Sequence, residues 1–252
     1  MPRHFRMIAC EVSQREVCAA VERSRNIINV DFLPKGLHDV GAERMRARIQ
    51  EAVDACPREA GAHPRGNCEA LLFWYGLCNN GLCGVRASIP MVAPRAHDCI
   101  TLLLGSRTRF ARYFEANPGT YFKSPGWIER DTDPNDNPAS ITARLKLSRD
   151  YRELAMRYGE DNAGFLAPVI ADWFKHYRKL AFINTGVGDI EAYRTQAGQF
   201  AAERKWEYEE LQGDSGLLDR MLAGDWNTED FLVVPPGRTI HPTFKADIIG
   251  SA

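Results

Sequence analysis

The chain has 252 residues, of which 44% are hydrophobic, 26% charged and 10% aromatic. That length and balance support a packed fold, as one large α/β domain or two lobes, and exclude both a stapled miniprotein and a disordered chain. Thirty-two Lys and Arg against 33 Asp and Glu leave a formal charge of −1, so no global field favours nucleic acid or an anionic membrane.

In chain order, residues 5–9 read as a first apolar strand and 13–23 as a helix opened by a Ser-x-x-Glu capping box of Ser13 and Glu16. Residues 27–32 follow as a second strand, and 40–55 as a helix whose Val40, Met45, Ile49 and Val53 share one face. Residues 70–75 form a buried third strand, 91–93 a short fourth, and 100–114 a helix with Asp98 as its N-cap. The stretch 126–150, with Asp133-Pro134-Asn135-Asp136-Asn137-Pro138, is turn-rich and reads as a linker. Helices at 151–158 and 163–177, a strand at 179–184, a helix at 190–203, a strand at 206–211, a helix near 217–223 and a strand at 231–234 resume the alternation. The expected fold class is α/β: two Rossmann-like βα lobes, residues 1–125 and 151–252, with mostly parallel sheets around a central cleft.

No apolar run approaches the roughly 20 residues of a membrane span. The basic start, Met1-Pro2-Arg3-His4-Phe5-Arg6, leads into an apolar stretch that breaks at Glu11, short of a signal-peptide core, so a cytoplasmic address is expected. Seven cysteines, none after Cys99, do not form a disulfide framework.

The chemistry-bearing residues collect after strands. Cys10 closes the first, His38 lies in the turn region after the second, Cys78 follows the third, and Pro94-Arg95-Ala96-His97-Asp98-Cys99 follows the fourth. In open parallel sheets, ligands bind outside the carboxyl ends of the strands. Thiolate and imidazole are the side chains that hold zinc or iron, and Cys10, His38, Cys78 and Cys99 supply four, with His97 in reserve. There is no Cys-x-x-Cys pair, so the spacing is not a zinc-finger pattern; the competing reading makes these cysteines small buried residues that only pack. Cys18, Cys56 and Cys68 have no partner by spacing. A P-loop and a Gly-x-Ser-x-Gly elbow are absent, and Gly186-Val187-Gly188 lacks a third glycine.

In the second half, Asn184-Thr185-Gly186, Gly213-Asp214-Ser215-Gly216 and Pro235-Pro236-Gly237 each follow a strand, making Thr185, Ser215 and Gly237 candidates for holding a cofactor. Asp189 and Asp214 near helix starts argue against a strongly anionic ligand there. If the halves are separate lobes, Cys78, His97 and Cys99 should face Thr185, Ser215 and Pro236 across one cleft.

Tyr75-Gly76-Leu77-Cys78, the run from Pro94 to Arg107, Pro118-Gly119-Thr120-Tyr121 and Pro125-Gly126-Trp127-Ile128-Glu129 resemble domain-of-unknown-function family 1638 of bacteria and archaea. The resemblance extends from Gly36-Leu37-His38 to Leu217-Leu218, Gly224-Asp225-Trp226 and the segment from Phe231 to Gly237. Two residues depart from it: Asn79 stands where a glycine is expected, and Cys83 where no cysteine is. Members are often encoded near corrinoid-dependent methyltransferase systems, which implies one-carbon or methyl-transfer metabolism, with a corrinoid protein or methyltransferase as partner and a corrinoid or folate as an interacting cofactor. The resulting expectation is a zinc- or iron-dependent protein acting on a small molecule, in which Arg95, His97, Asp98 and Arg107 orient substrate or ligands. The alternative is a non-catalytic carrier of a metal or an iron–sulfur cluster.

Overall fold

The computed structural model describes residues 1–37, 41–55, 68–130, 176–243 and 245–252. In chain order the elements are β1 (His4–Cys10), a single 3-10 turn (Glu11–Ser13), α1 (Gln14–Arg23), β2 (Ile27–Leu33), α2 (Ala42–Asp54), β3 (Ala70–Trp74), β4 (Met91–Pro94), α3 (Cys99–Leu103), α4 (Arg107–Ala116), β5 (Thr120–Lys123) and α5 (Pro125–Arg130). After the undescribed stretch come β6 (Lys179–Asn184), α6 (Ile190–Glu203), β7 (Glu207–Gln212), α7 (Gly216–Ala223), β8 (Phe231–Val234), β9 (Ile240–Pro242) and β10 (Ile249–Ser251). The fold is α/β with mostly parallel sheets, as the alternation of elements predicts.

The first sheet has the order β2-β1-β3-β4-β8. β1 lies between β2 and β3, parallel to both, and is covered on both faces. Strand pleating sends alternate side chains to opposite sides. Phe5, Met7, Ala9, Leu72 and Trp74 pack against Val17 and Ala20 of α1 and Leu218, Met221 and Leu222 of α7. Ile8, Leu71, Phe73, Tyr75 and Ala93 pack against Met45, Ile49 and Val53 of α2 and against Ile240 and Ile249 of the β9–β10 hairpin. Each of the large apolar side chains contributes about 1.5–3 kcal/mol by leaving water.

The second sheet, β5-β6-β7, is all parallel. One face carries α6 through Tyr193, Ala197 and Ala201; the other receives Leu103 and Leu104, which pack against Ile183.

Sheet membership differs from the order of the chain. β5 lies before residue 125 yet pairs with β6, and β8 lies near the carboxyl end yet pairs antiparallel with β4, matching Met91 to Val234 and Pro94 to Phe231. The chain therefore crosses to the second sheet before β5 and returns after β7, so neither 1–125 nor 151–252 corresponds to one sheet. The stretch read as a linker begins with a helix, α5, whose Pro125, Gly126 and Ile128 are buried. The remainder of 126–150, the helix expected at 151–158 and nearly all of that at 163–177 lie outside the described residues. The helix expected over 100–114 is two helices, interrupted at Gly105, whose φ is +71°, and restarted by Ser106, whose side chain accepts from the Arg109 amide. Among the described residues, no helix is long and apolar enough to cross a membrane.

α5 is clamped to the first sheet's entry turn. A Cβ on Gly126 would fall 1.6 Å from the carbonyl oxygen of Val12. Glu129 accepts from Arg15 Nε at 2.6 Å and from the Tyr193 hydroxyl, tying α1, α5 and α6 together. The Arg15 hydrogen bond is the leading cause that holds the Glu129 carboxyl below the usual range. Gly126→Ala must displace backbone on one side of this clamp and is expected to cost about 3 kcal/mol, lowering Tm by about 6–12 °C in a thermal melt; an unchanged Tm would contradict this packing.

Candidate functional site

The carboxyl ends of β1, β3 and β4 meet on the α2 side of the first sheet. After β3, Leu77 N donates to Ala96 O at 2.8 Å and Cys78 N to His97 O at 2.9 Å, so the loops following β3 and β4 run against each other. Gly76 permits this: a Cβ there would lie 2.6 Å from Asp98 N and 2.7 Å from its Cα. The chain then turns through Cys78, Asn79 and Asn80 with φ of 43°, 57° and 63°. Asparagine adopts this left-handed region readily and cysteine does not, at a cost of about 1–2 kcal/mol. The conformation also accounts for the glycine expected at position 79, since Gly and Asn share that preference.

This geometry brings Cys10, Cys78 and Cys99 together. Burial is the main cause that raises all three thiols, Cys78 to about 12, and each of Cys78 and Cys99 is raised further by its neighbours and by Asp98. By surface area all three are partly buried. The Tyr75 hydroxyl stands beside Cys10 and Cys78, buried and without a hydrogen-bond partner of normal geometry among the described residues. Burial and the two neighbouring thiols push its pKa well above the ordinary value. Among the described residues, no group of three His, Cys, Asp or Glu side chains stands in metal-ligand geometry. His38 lies outside the described residues. Cys18 is exposed on α1, Cys68 donates to Ala70 O at the opposite end of β3, and Cys83 is shifted by burial and by Arg46 rather than by the other thiols.

The residues expected to orient substrate are engaged elsewhere. Arg95 donates to the carbonyls of Thr228 at 2.9 Å, Asp247 at 3.0 Å and Ile249 at 2.5 Å, and Arg107 donates to those of Ala246 and Glu229. Both hold the carboxyl-terminal segment onto the start of β8. Asp98 Oδ1 accepts from Thr101 N at 2.9 Å and Oγ1 at 3.0 Å, which makes it the N-cap of α3. The His97 side chain is exposed; its carbonyl is the acceptor that aligns Cys78.

The second-half loops lie on the other side of the first sheet. Thr185 donates to Glu16 Oε1 at 2.7 Å, and Ser215 to Asp219 Oδ2 at 2.7 Å. Glu16 thus serves the β6 loop rather than a capping box, and Ser13 donates to Cys10 O. Thr185, Asp214 and Ser215 line a cavity of about 400 Å³ with Glu16, Trp74 and Leu102. Trp74 and Tyr75 are consecutive and point to opposite faces, so this cavity and the thiols do not form one cleft. Gly237 and Pro236 are farther away. Because β8 is antiparallel, its end lies beside the start of β4, at the edge opposite the thiols. Sequence reasoning missed Tyr75, Trp74 and Glu16 as site residues; Tyr75 had the signal of adjoining Cys78 at a strand end, and the other two had none.

Raised pKa values keep the clustered thiols neutral near pH 7, and only thiolate alkylates rapidly. With iodoacetamide and peptide mass analysis, exposed Cys18 is expected to react first at pH 7, while Cys10, Cys78 and Cys99 react slowly and accelerate as pH rises toward their pKa values. Fast labelling of Cys78 or Cys99 at pH 7 would contradict their placement.

No curated protein and no solved structure matches the chain. A family model described as a protein of unknown function, DUF1638, matches residues 32–222. That span takes in β3, β4 and the loops carrying Cys78 and Cys99, and the chain belongs to this family.

Proposed function

We propose that Cys10, Cys78 and Cys99 bind one thiophilic metal ion, zinc or iron, which acts on a small molecule in one-carbon or methyl-transfer metabolism. The observation that carries this reading is the convergence of three thiols from three strand ends beside a buried tyrosine hydroxyl with no hydrogen-bond partner of normal geometry among the described residues. The donor set suits such an ion: thiolates select zinc or iron, and three protein ligands leave a fourth position for substrate or water. Binding requires the thiols to turn toward a common centre and lose their protons, so affinity rises with pH. The metal would supply Lewis acidity. Tyr75 is the group on this chain that would donate a hydrogen bond to whatever fills the open position. The corrinoid or methyltransferase partner remains part of the proposal through the family's genomic context.

A carrier of a metal or an iron–sulfur cluster is the second reading. It is favoured by one specific observation: Arg95 and Asp98, expected to orient substrate or ligands, make structural contacts. Visible absorption separates the two, since a cluster is coloured and a zinc centre is not.

Anaerobically purified protein is expected to contain about one zinc or iron per chain. Cys10→Ala, Cys78→Ala and Cys99→Ala should each lower metal content strongly in elemental analysis, whereas Cys18→Ala and Cys68→Ala should leave it unchanged. Equal loss in all five, or no transition metal in the wild type, would overturn the assignment.

A further inference from the structure

The cavity of about 400 Å³ between α1, the end of β3 and the loops after β6 and β7 lies on the opposite face of the first sheet from the thiols, and its reading is independent of theirs. Two of its lining side chains are more than nine-tenths buried and carry a polar atom with no partner among the described residues: Glu16 Oε2 and Trp74 Nε1. Each such atom costs about 1–3 kcal/mol when left unsatisfied. A fold that sustains both at one cavity is built to receive something that satisfies them.

The chemistry of the lining selects the occupant. Thr185 spends its hydroxyl on Glu16 Oε1, Ser215 spends its own on Asp219, and Asp214 Oδ1 accepts from Gly216 N at 2.7 Å. Arg23 is balanced by Asp219 at 3.2 Å and also donates to Ala19 O. The uncompensated charge is therefore negative, from Glu16 and Asp214, which disfavours an anion. No metal-ligand geometry exists among these residues. Glu16 Oε2 calls for a donor, best a charged one, and the indole N–H of Trp74 calls for an acceptor. The volume falls in the range of small-molecule pockets rather than that of a single water.

We propose that this cavity binds a small primary amine that also carries an oxygen acceptor, the ammonium group donating to Glu16 Oε2 and the oxygen accepting from Trp74 Nε1. Asp214 adds favourable potential at the amine end, and the loops after β6 and β7 close the wall.

The test uses the full chain with ethanolamine, 2-methoxyethylamine and glycinamide as probes, and propylamine and ethylene glycol as controls that lack the oxygen or the amine. Thermal shift and tryptophan emission are read at millimolar probe. The expected result is a rise in Tm and a change in emission with at least one of the three probes, and a weaker response to both controls. Glu16→Gln should weaken that response by about tenfold or more, the worth of a charged hydrogen bond. Trp74→Phe keeps an aromatic side chain but removes the five-membered ring with its N–H, and should weaken the response to the amine–oxygen probes down to that of propylamine while leaving the response to propylamine itself unchanged; it decides the question if Glu16→Gln fails to fold. No response to any of the three probes, or a response that propylamine matches or that both variants retain in full, overturns the proposal.

Discussion

The backbone contact between Gly76 and Asp98 is the constraint on which the rest depends. Only a residue without a side chain allows the loop after β3 to lie against the loop after β4. That contact aligns Cys78 through the His97 carbonyl and sets Asp98 where it caps α3. With α3 fixed, Leu103 and Leu104 reach the second sheet, and the Leu103 carbonyl accepts from Asp214 N at 2.9 Å. One close approach thus determines both the thiol cluster and the docking of the β7 loop.

The two faces of the first sheet then carry different chemistry because strand side chains alternate. On the α2 side, burial keeps the thiols neutral, the Tyr75 hydroxyl has no hydrogen-bond partner of normal geometry among the described residues, and Cys78 sits in a backbone conformation that costs it energy. Strain and unsatisfied polar groups at one place are both unfavourable without a ligand, which is why the metal site is proposed here. On the α1 side, Glu16 Oε2 and Trp74 Nε1 are buried without a partner among the described residues. Burial raises the Glu16 carboxyl, so in the free protein it favours folding only while protonated, and that contribution is lost as pH rises through its folded pKa.

The sequence was informative where local chemistry decides. The bounds of β6, α6 and β8 follow from an apolar run or a 3.6-residue stripe closed by turn residues, and the Asp98 cap follows from Asp before an apolar helix. That Cys10, Cys78 and Cys99 follow neighbouring strands at one edge was legible because parallel strands place their ends together. Pairing partners were not legible. Phe231-Leu232-Val233-Val234 fits either sheet, and only the return of the chain after β7 assigns it to β4, reversing the edge on which Gly237 falls. Thr120-Tyr121-Phe122-Lys123 is polar at both ends and lacks the continuous apolar run that marked β4 and β8, so it did not stand out as a strand. Arg95 read as a substrate ligand because the carbonyls it holds lie more than a hundred residues away in the chain. The break at Gly105-Ser106 had a local signal, a helix-ending glycine followed by an N-cap serine, that a continuous apolar stripe concealed.

Cobalt substitution of the metal-free protein tests the central claim, that three strand ends place three thiols around one ion. Thiolate bound to Co(II) gives an intense ligand-to-metal charge-transfer band, whose strength grows with the number of thiolates, and tetrahedral coordination gives strong visible bands. The expected result is a stoichiometric titration with the charge-transfer intensity of a three-thiolate site, and markedly weaker binding with a diminished band in Cys78→Ser. Cobalt that binds without that band, or a titration that shows no saturable site, would contradict it.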